Sequence, residues 1–111
     1  MLLDIYGLGV LLIGSSGNAL TRNTASSNGS PGAYAGFGLL GGSSRNRLEA
    51  NTANGNGDVG FVLEASNENV LLRNVANVNG LTGFELRSGS SGNTLSFNLA
   101  TGNELRGVLV T

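Results

Sequence analysis

The sequence predicts an all-β solenoid: a single-stranded parallel β-helix of about four coils, 23–28 residues per coil, with three short strands in each. Three observations carry this prediction. A triplet of asparagines in steps of five recurs four times, as Asn18-Asn23-Asn28, Asn46-Asn51-Asn56, Asn69-Asn74-Asn79 and Asn93-Asn98-Asn103. A glycine followed by an alternating apolar stretch also recurs, starting at Gly9, Gly36, Gly60, Gly83 and Gly107. The repeating unit is too short for two good helices and punctuated too often for one.

Gly60–Asn79 is the clearest unit. After each glycine, position +1 holds Val10, Phe37, Phe61, Phe84 or Val108, and position +3 holds Leu12, Leu39, Leu63, Leu86 or Val110. Position +2 varies freely through Leu11, Gly38, Val62, Glu85 and Leu109. A period of two is a strand with one face inward. Leu20, Leu48, Leu71 and Leu95, between the first two asparagines, mark a second strand, and Ala25, Ala53, Ala76 and Ala100 mark a third. First asparagines at 18, 46, 69 and 93 give periods of 28, 23 and 24. The long first period is assigned to a bulge around Ser30–Tyr34, since repeat proteins place insertions on the surface.

Coils of this size stack at about 4.8 Å, each strand pairing with its copies above and below. The inward columns are then Val or Phe, Leu, Leu and Ala. The asparagines are expected at the corners, where asparagine tolerates left-handed backbone and its amide bonds to neighbouring backbone. Stacked asparagines can also donate to one another along the axis, as in a ladder. Ser15-Ser16, Ser43-Ser44 and Ser90-Ser91 recur before the asparagine and are assigned to a turn.

The motif N-x-L-x-x-N-x-A-x-x-N, as in Asn69-Val70-Leu71-Leu72-Arg73-Asn74-Val75-Ala76-Asn77-Val78-Asn79, followed by G-[VF]-x-[LV], resembles the right-handed parallel β-helix (pectin-lyase-like) family. The repeat is similar to the generic type seen in NosD-like periplasmic proteins and other carbohydrate-binding or sugar-hydrolase domains. The resemblance covers about Gly9 to Thr111. It implies a right-handed coil, which agrees with the crossover rule, and an extracellular or periplasmic setting. One fold hosts many activities, so the resemblance speaks more to architecture than to chemistry.

Composition narrows the chemistry. The 111 residues make one domain, 1–111, with a modest core. Only 12% of residues are charged, the net charge is −1, and the six basic residues are scattered arginines. Nucleic acid and anionic membrane are therefore not expected partners. The chain has no histidine, the commonest general base, and no cysteine for disulfides or thiolate sites. Met1–Ala19 lacks the basic start and small-residue cleavage site of a signal peptide and reads as part of the first coil.

Enzymes of the resembled family use clustered aspartates with a basic residue and calcium, or aspartates with histidine. Here only Asp4 and Asp58 are present, far apart in sequence, so neither pattern transfers to any position. Asn54–Phe61 resembles one copy of the calcium nonapeptide, which binds through tandem copies. No catalytic residue, cofactor or metal site is therefore assigned.

The best charged group is Glu64, Glu85 and Arg87. Glu64 and Arg87 stand four residues after the glycines of adjacent coils and share an outward column; Glu85 shares their face. Such a group suits a sugar or a cation, or is simply an exposed ion pair worth about 0–1 kcal/mol. Tyr6, Tyr34 and Phe97 are the aromatics outside the core columns, and Tyr34, in the bulge, is the candidate for sugar stacking. The candidate ligand-binding residues are thus Tyr34, Glu64, Glu85 and Arg87.

Leu11, Ile13, Leu40 and Val62 are expected to form an outward apolar face, and Gly107–Thr111 a strand paired on one side. Both features point to a piece of a longer solenoid or to self-association through its ends. The expected function is a non-catalytic structural or carbohydrate-binding module, with polysaccharide as partner. The alternative is the scaffold portion of a polysaccharide lyase, hydrolase or epimerase whose catalytic residues lie outside this chain.

Overall fold

In the computed structural model, residues 8–28 and 35–111 are described. The expected bulge around Ser30–Tyr34 and the segment Leu2–Tyr6 lie outside them. All regular elements among the described residues are strands: β1 (Val10–Ile13), β2 (Ala19–Thr21), β3 (Ala35–Leu40), β4 (Arg47–Glu49), β5 (Val59–Glu64), β6 (Val70–Leu72), β7 (Thr82–Arg87), β8 (Thr94–Ser96) and β9 (Arg106–Val110). The odd-numbered strands form one parallel sheet in the order β1-β3-β5-β7-β9, and the even-numbered ones a second, β2-β4-β6-β8. Each strand pairs with the next copy of itself, in the register set by the repeats: Val10↔Phe37, Phe37↔Phe61, Phe61↔Phe84 and Phe84↔Val108.

The core is the set of inward columns. Phe37, Phe61 and Phe84 are buried with Leu39, Leu63, Leu86, Leu48, Leu71, Ala25, Ala53 and Ala76, flanked by partly buried Val10, Leu12, Leu20, Leu95 and Ala100. The three phenyl rings stack in parallel at 4.7 and 4.9 Å between centroids. The recurring glycine is what lets the coil close around this core. A Cβ on Gly60 would lie 2.7 Å from the Gly83 carbonyl oxygen, 2.8 Å from the Ala76 Cβ and 2.9 Å from the Asn79 Nδ2. Gly9, Gly36 and Gly83 meet the corresponding alanine and asparagine just as closely.

The corners differ from the expectation that asparagine itself takes the left-handed conformation. No asparagine is among the residues with positive φ; instead the residue before every one of the twelve has it. Gly17, Gly55, Gly92 and Gly102 fill four of these places, and Arg22, Ser27, Arg45, Ala50, Glu68, Arg73, Val78 and Phe97 the other eight. All twelve are exposed. The division of labour is physical: the outward residue makes the bend, which frees the asparagine side chain to turn inward.

The third strand of each coil is reduced to a single bridge, Thr24↔Thr52, Thr52↔Val75 and Val75↔Leu99. Two residues after each bridge, the backbone N–H of Asn54, Asn77 or Thr101 donates to a side chain of the preceding coil: Ser26 Oγ, Asn54 Oδ1 or Asn77 Oδ1. That substitution interrupts the backbone ladder.

The apolar outer face is also smaller than expected. Val62 is 5% exposed, packed with Ala35 and Val59 beneath Leu8. Leu11 and Leu40 are half-buried, and only Ile13 of the four is exposed.

Candidate functional site

The structure brings three of the four sequence-predicted site residues together. Glu64 ends β5 and Arg87 ends β7, opposite each other in the parallel register. Arg87 Nη2 lies 3.3 Å from Glu64 Oε2, and Arg87 Nη1 lies 3.5 Å from Glu85 Oε1. Glu85 is the most covered member, its side chain 15% exposed against 43% for Arg87. One guanidinium thus bridges two carboxylates on the outer face of the larger sheet. Tyr34, the fourth candidate, lies outside the described residues.

Arg87 also borders a groove of about 280 Å³ lined by Leu8, Ala35, Leu40, Asp58, Val59 and Val62. The groove has an apolar floor and a charged rim, and Val62, directly opposite Glu85 in register, joins it to the ion cluster. Its lining was only partly legible. Val59 and Ala35 precede the glycine, outside the alternating stretch, but they form a register column of their own.

A second outer cluster sits beside the smaller sheet. Glu49 pairs with Arg47 at 3.0 Å and with Arg73 at 3.5 Å. The Arg73 guanidinium stands 5.8 Å from the centroid of the Phe97 ring, in cation–π range. Phe97 is 80% exposed, and its backbone is held in the left-handed region at φ 55°. Arg73 and Phe97 each precede an asparagine in adjacent coils, so the asparagine period itself places them in one column.

The interior polar groups are committed to structure. Asn74 is representative: its Oδ1 accepts from the Asn51 N–H and Nδ2, at 2.9 and 3.1 Å. Its Nδ2 donates forward to Asn98 Oδ1 at 3.1 Å and back to the Leu48 carbonyl at 2.9 Å. A fourth ladder, of serine, accompanies the three of asparagine. The hydroxyls of Ser43, Ser66 and Ser90 each donate to carbonyls of their own and the preceding coil. The signal was present, since Ser15, Ser43, Ser66 and Ser90 recur with the same periods of 28, 23 and 24 as the asparagines. Among the described residues, no buried side-chain nitrogen or oxygen lacks a partner.

The stacked parallel coils agree with a comparison of the chain with protein families. Residues 4–111 match the family model described as a right handed beta helix region. The chain belongs to the right-handed β-helix family. The family assignment sets the hand of the coil, and its span takes in all five glycine-led strands. No curated protein and no solved structure matches the chain.

Among the described residues of this β-helix chain, no group of three or more aspartate, glutamate, histidine or cysteine side chains stands together. No helix among them is long and apolar enough to cross a membrane.

Proposed function

We propose that this β-helix is a non-catalytic module that carries a polysaccharide-binding surface outside the cytoplasm. The observation that carries the reading is Phe97: a ring held 80% exposed, on a strained backbone, beside the guanidinium of Arg73. An exposed aromatic offers its face to the C–H side of a sugar ring, and the neighbouring Arg73 and Glu49 offer charged partners to hydroxyls or carboxylates. The Glu64–Glu85–Arg87 cluster gives a second polar contact region on the larger sheet. Its single cation is shared between two acids, an arrangement suited to positioning hydroxyl groups.

Affinity electrophoresis through gels containing neutral or uronate polysaccharides tests the reading. The chain is expected to be retarded by at least one of them, with the retardation reduced at least fivefold in Phe97→Ala and weakened in Glu85→Gln or Tyr34→Ala. Unretarded migration in every gel, or retardation insensitive to all three substitutions, would leave a structural role as the remaining function. Release of shortened or unsaturated sugars by the wild-type chain would overturn the non-catalytic assignment.

A further inference from the structure

Four asparagines are followed by glycine: Asn28, Asn54, Asn56 and Asn79. Asparagine is a thermolabile residue, and a glycine after it leaves the next backbone nitrogen uncrowded. That nitrogen can attack Cγ, close a five-membered succinimide and expel the side-chain amide as ammonia. The proton of the attacking N–H passes through solvent to the leaving group. Water then opens the ring at either carbonyl, leaving aspartate or isoaspartate, so one water is consumed for each ammonia released. Two conditions set the rate. The glycine N–H must be free of its hydrogen bond, and the carboxamide must be able to swing toward it.

The fold meets these conditions unequally. Asn56 and Asn79 stand in the third ladder, each 2% exposed. The Asn56 carboxamide accepts from the Asn28 N–H and Nδ2 and donates to the Ala25 carbonyl and to Asn79 Oδ1. Asn79 makes the same four bonds one coil further on, with Asn56, Ala53 and Asn103. The N–H groups of Gly57 and Gly80 are tied to the Asn28 and Asn56 carbonyls at 2.9 and 3.0 Å. Gly29, after Asn28, lies outside the described residues.

Asn54 is held differently. It follows the inward Ala53, so its side chain is directed to the outer side, where it is half-buried. Its Oδ1 accepts one bond, from the Asn77 N–H at 2.8 Å. Its Nδ2, the leaving group, has no hydrogen-bond partner among the described residues. The Gly55 N–H, the nucleophile, donates to the Asn77 carbonyl at 3.1 Å. Nucleophile and electrophile are therefore released together when one residue, Asn77, draws away. In a strand reduced to a single bridge, such an opening is local. Asn77 itself is a built-in control. Its Oδ1 accepts from the Thr101 N–H at 2.9 Å in the same column, but the residue that follows is Val78, whose branched side chain crowds the attacking nitrogen.

We propose that Asn54 is a site of spontaneous deamidation in the folded chain, while the ladder shields Asn56 and Asn79 until the coils separate. The products differ in the same sense. Aspartate at 54 keeps an oxygen to accept from Asn77 and adds one negative charge on the outer side. Aspartate at 56 turns a carboxylate oxygen toward Asn79 Oδ1 and the Ala25 carbonyl, a buried charge facing two acceptors.

Peptide mapping by tandem mass spectrometry tests the proposal on the 111-residue chain, kept folded in mildly alkaline buffer or unfolded in urea, in water enriched in oxygen-18. One heavy oxygen per converted residue identifies ring opening by water. In the folded chain Asn54 is expected to convert at least tenfold faster than Asn56, Asn79 or Asn77. In urea the three glycine-linked rates are expected to converge. Gly55→Ser is the matched variant, because Ser27 holds the equivalent left-handed place in the first coil and a Cβ on Gly55 meets only Ser27 Oγ, at 3.8 Å. It is expected to slow conversion of Asn54 at least fivefold. Asn54→Asp is expected to keep the wild-type urea midpoint, and Asn56→Asp to lower it or to prevent folding. Equal folded rates at Asn54, Asn56 and Asn79 overturn the proposal. So does an unconverted Asn54 when the urea sample is spent, an undiminished rate in Gly55→Ser, or an unchanged midpoint in Asn56→Asp. If Gly55→Ser does not fold, the wild-type rates decide alone.

Discussion

Every hydrogen-bonding site of the Asn74 carboxamide is occupied inside the fold, so this residue ties three coils together through hydrogen bonds. Asn74→Ala leaves the Asn51 backbone N–H without its acceptor and removes one bond each from Asn51 Nδ2, the Leu48 carbonyl and Asn98 Oδ1. A buried group stripped of its partner costs about 1–3 kcal/mol. With several groups affected, a loss of about 3 kcal/mol is expected, read as a lower midpoint in urea denaturation. The same substitution at Asn23, which is exposed on the first coil, should cost less than half as much. The asparagine spacing was fully legible in the sequence. The conformation was not, because the bend falls on the preceding residue, whose identity ranges from glycine to Val78 and Phe97 and so carries no compositional signal.

Strand and corner are joined through the glycine column. Gly60 is buried and has no positive φ, so its small size answers to space and not to backbone freedom. Gly60→Ala forces a methyl group against the Gly83 carbonyl, the Ala76 methyl and the Asn79 amide at once. Overpacking of this kind costs about 1–3 kcal/mol, and the backbone oxygen among the neighbours places the expected value near the upper end, measurable by thermal or urea unfolding. Gly107→Ala, whose nearest contact is at 3.5 Å, is the matched control and should change stability by less than about 1 kcal/mol. The odd-numbered strands were legible from alternation alone. The third strand was not: spacing alone does not show that the amides of Asn54, Asn77 and Thr101 bond to side chains in place of backbone carbonyls.

At the scale of the whole molecule, each described strand pairs only with its copies in the adjacent coils, so stability should grade from the middle outward. Hydrogen exchange is expected to be slowest at Leu63 and Leu71, in the best-covered coil, and at least tenfold faster at Leu20 and Leu95, in coils covered on one side. Uniform protection along the axis would show all-or-none opening instead. The fold was legible because one short unit is copied four times, which repeats each signal until it stands out from chance. The Glu64–Glu85–Arg87 cluster was legible for the same reason, since register converts sequence offset into proximity. The groove beside it and the Arg73–Phe97 pair were less so, because they depend on columns outside the repeated motif. The ladders also divide the chain into rigid and elastic lengths. Asparagine-to-asparagine steps within a coil are always five, whereas the stretch from the third asparagine to the glycine that leads the next strand is eight residues from Asn28 to Gly36 but four from Asn56 to Gly60, Asn79 to Gly83 and Asn103 to Gly107. Growth by gene duplication is therefore quantised in whole coils, while foreign loops can be grafted into the elastic windows without disturbing the axis.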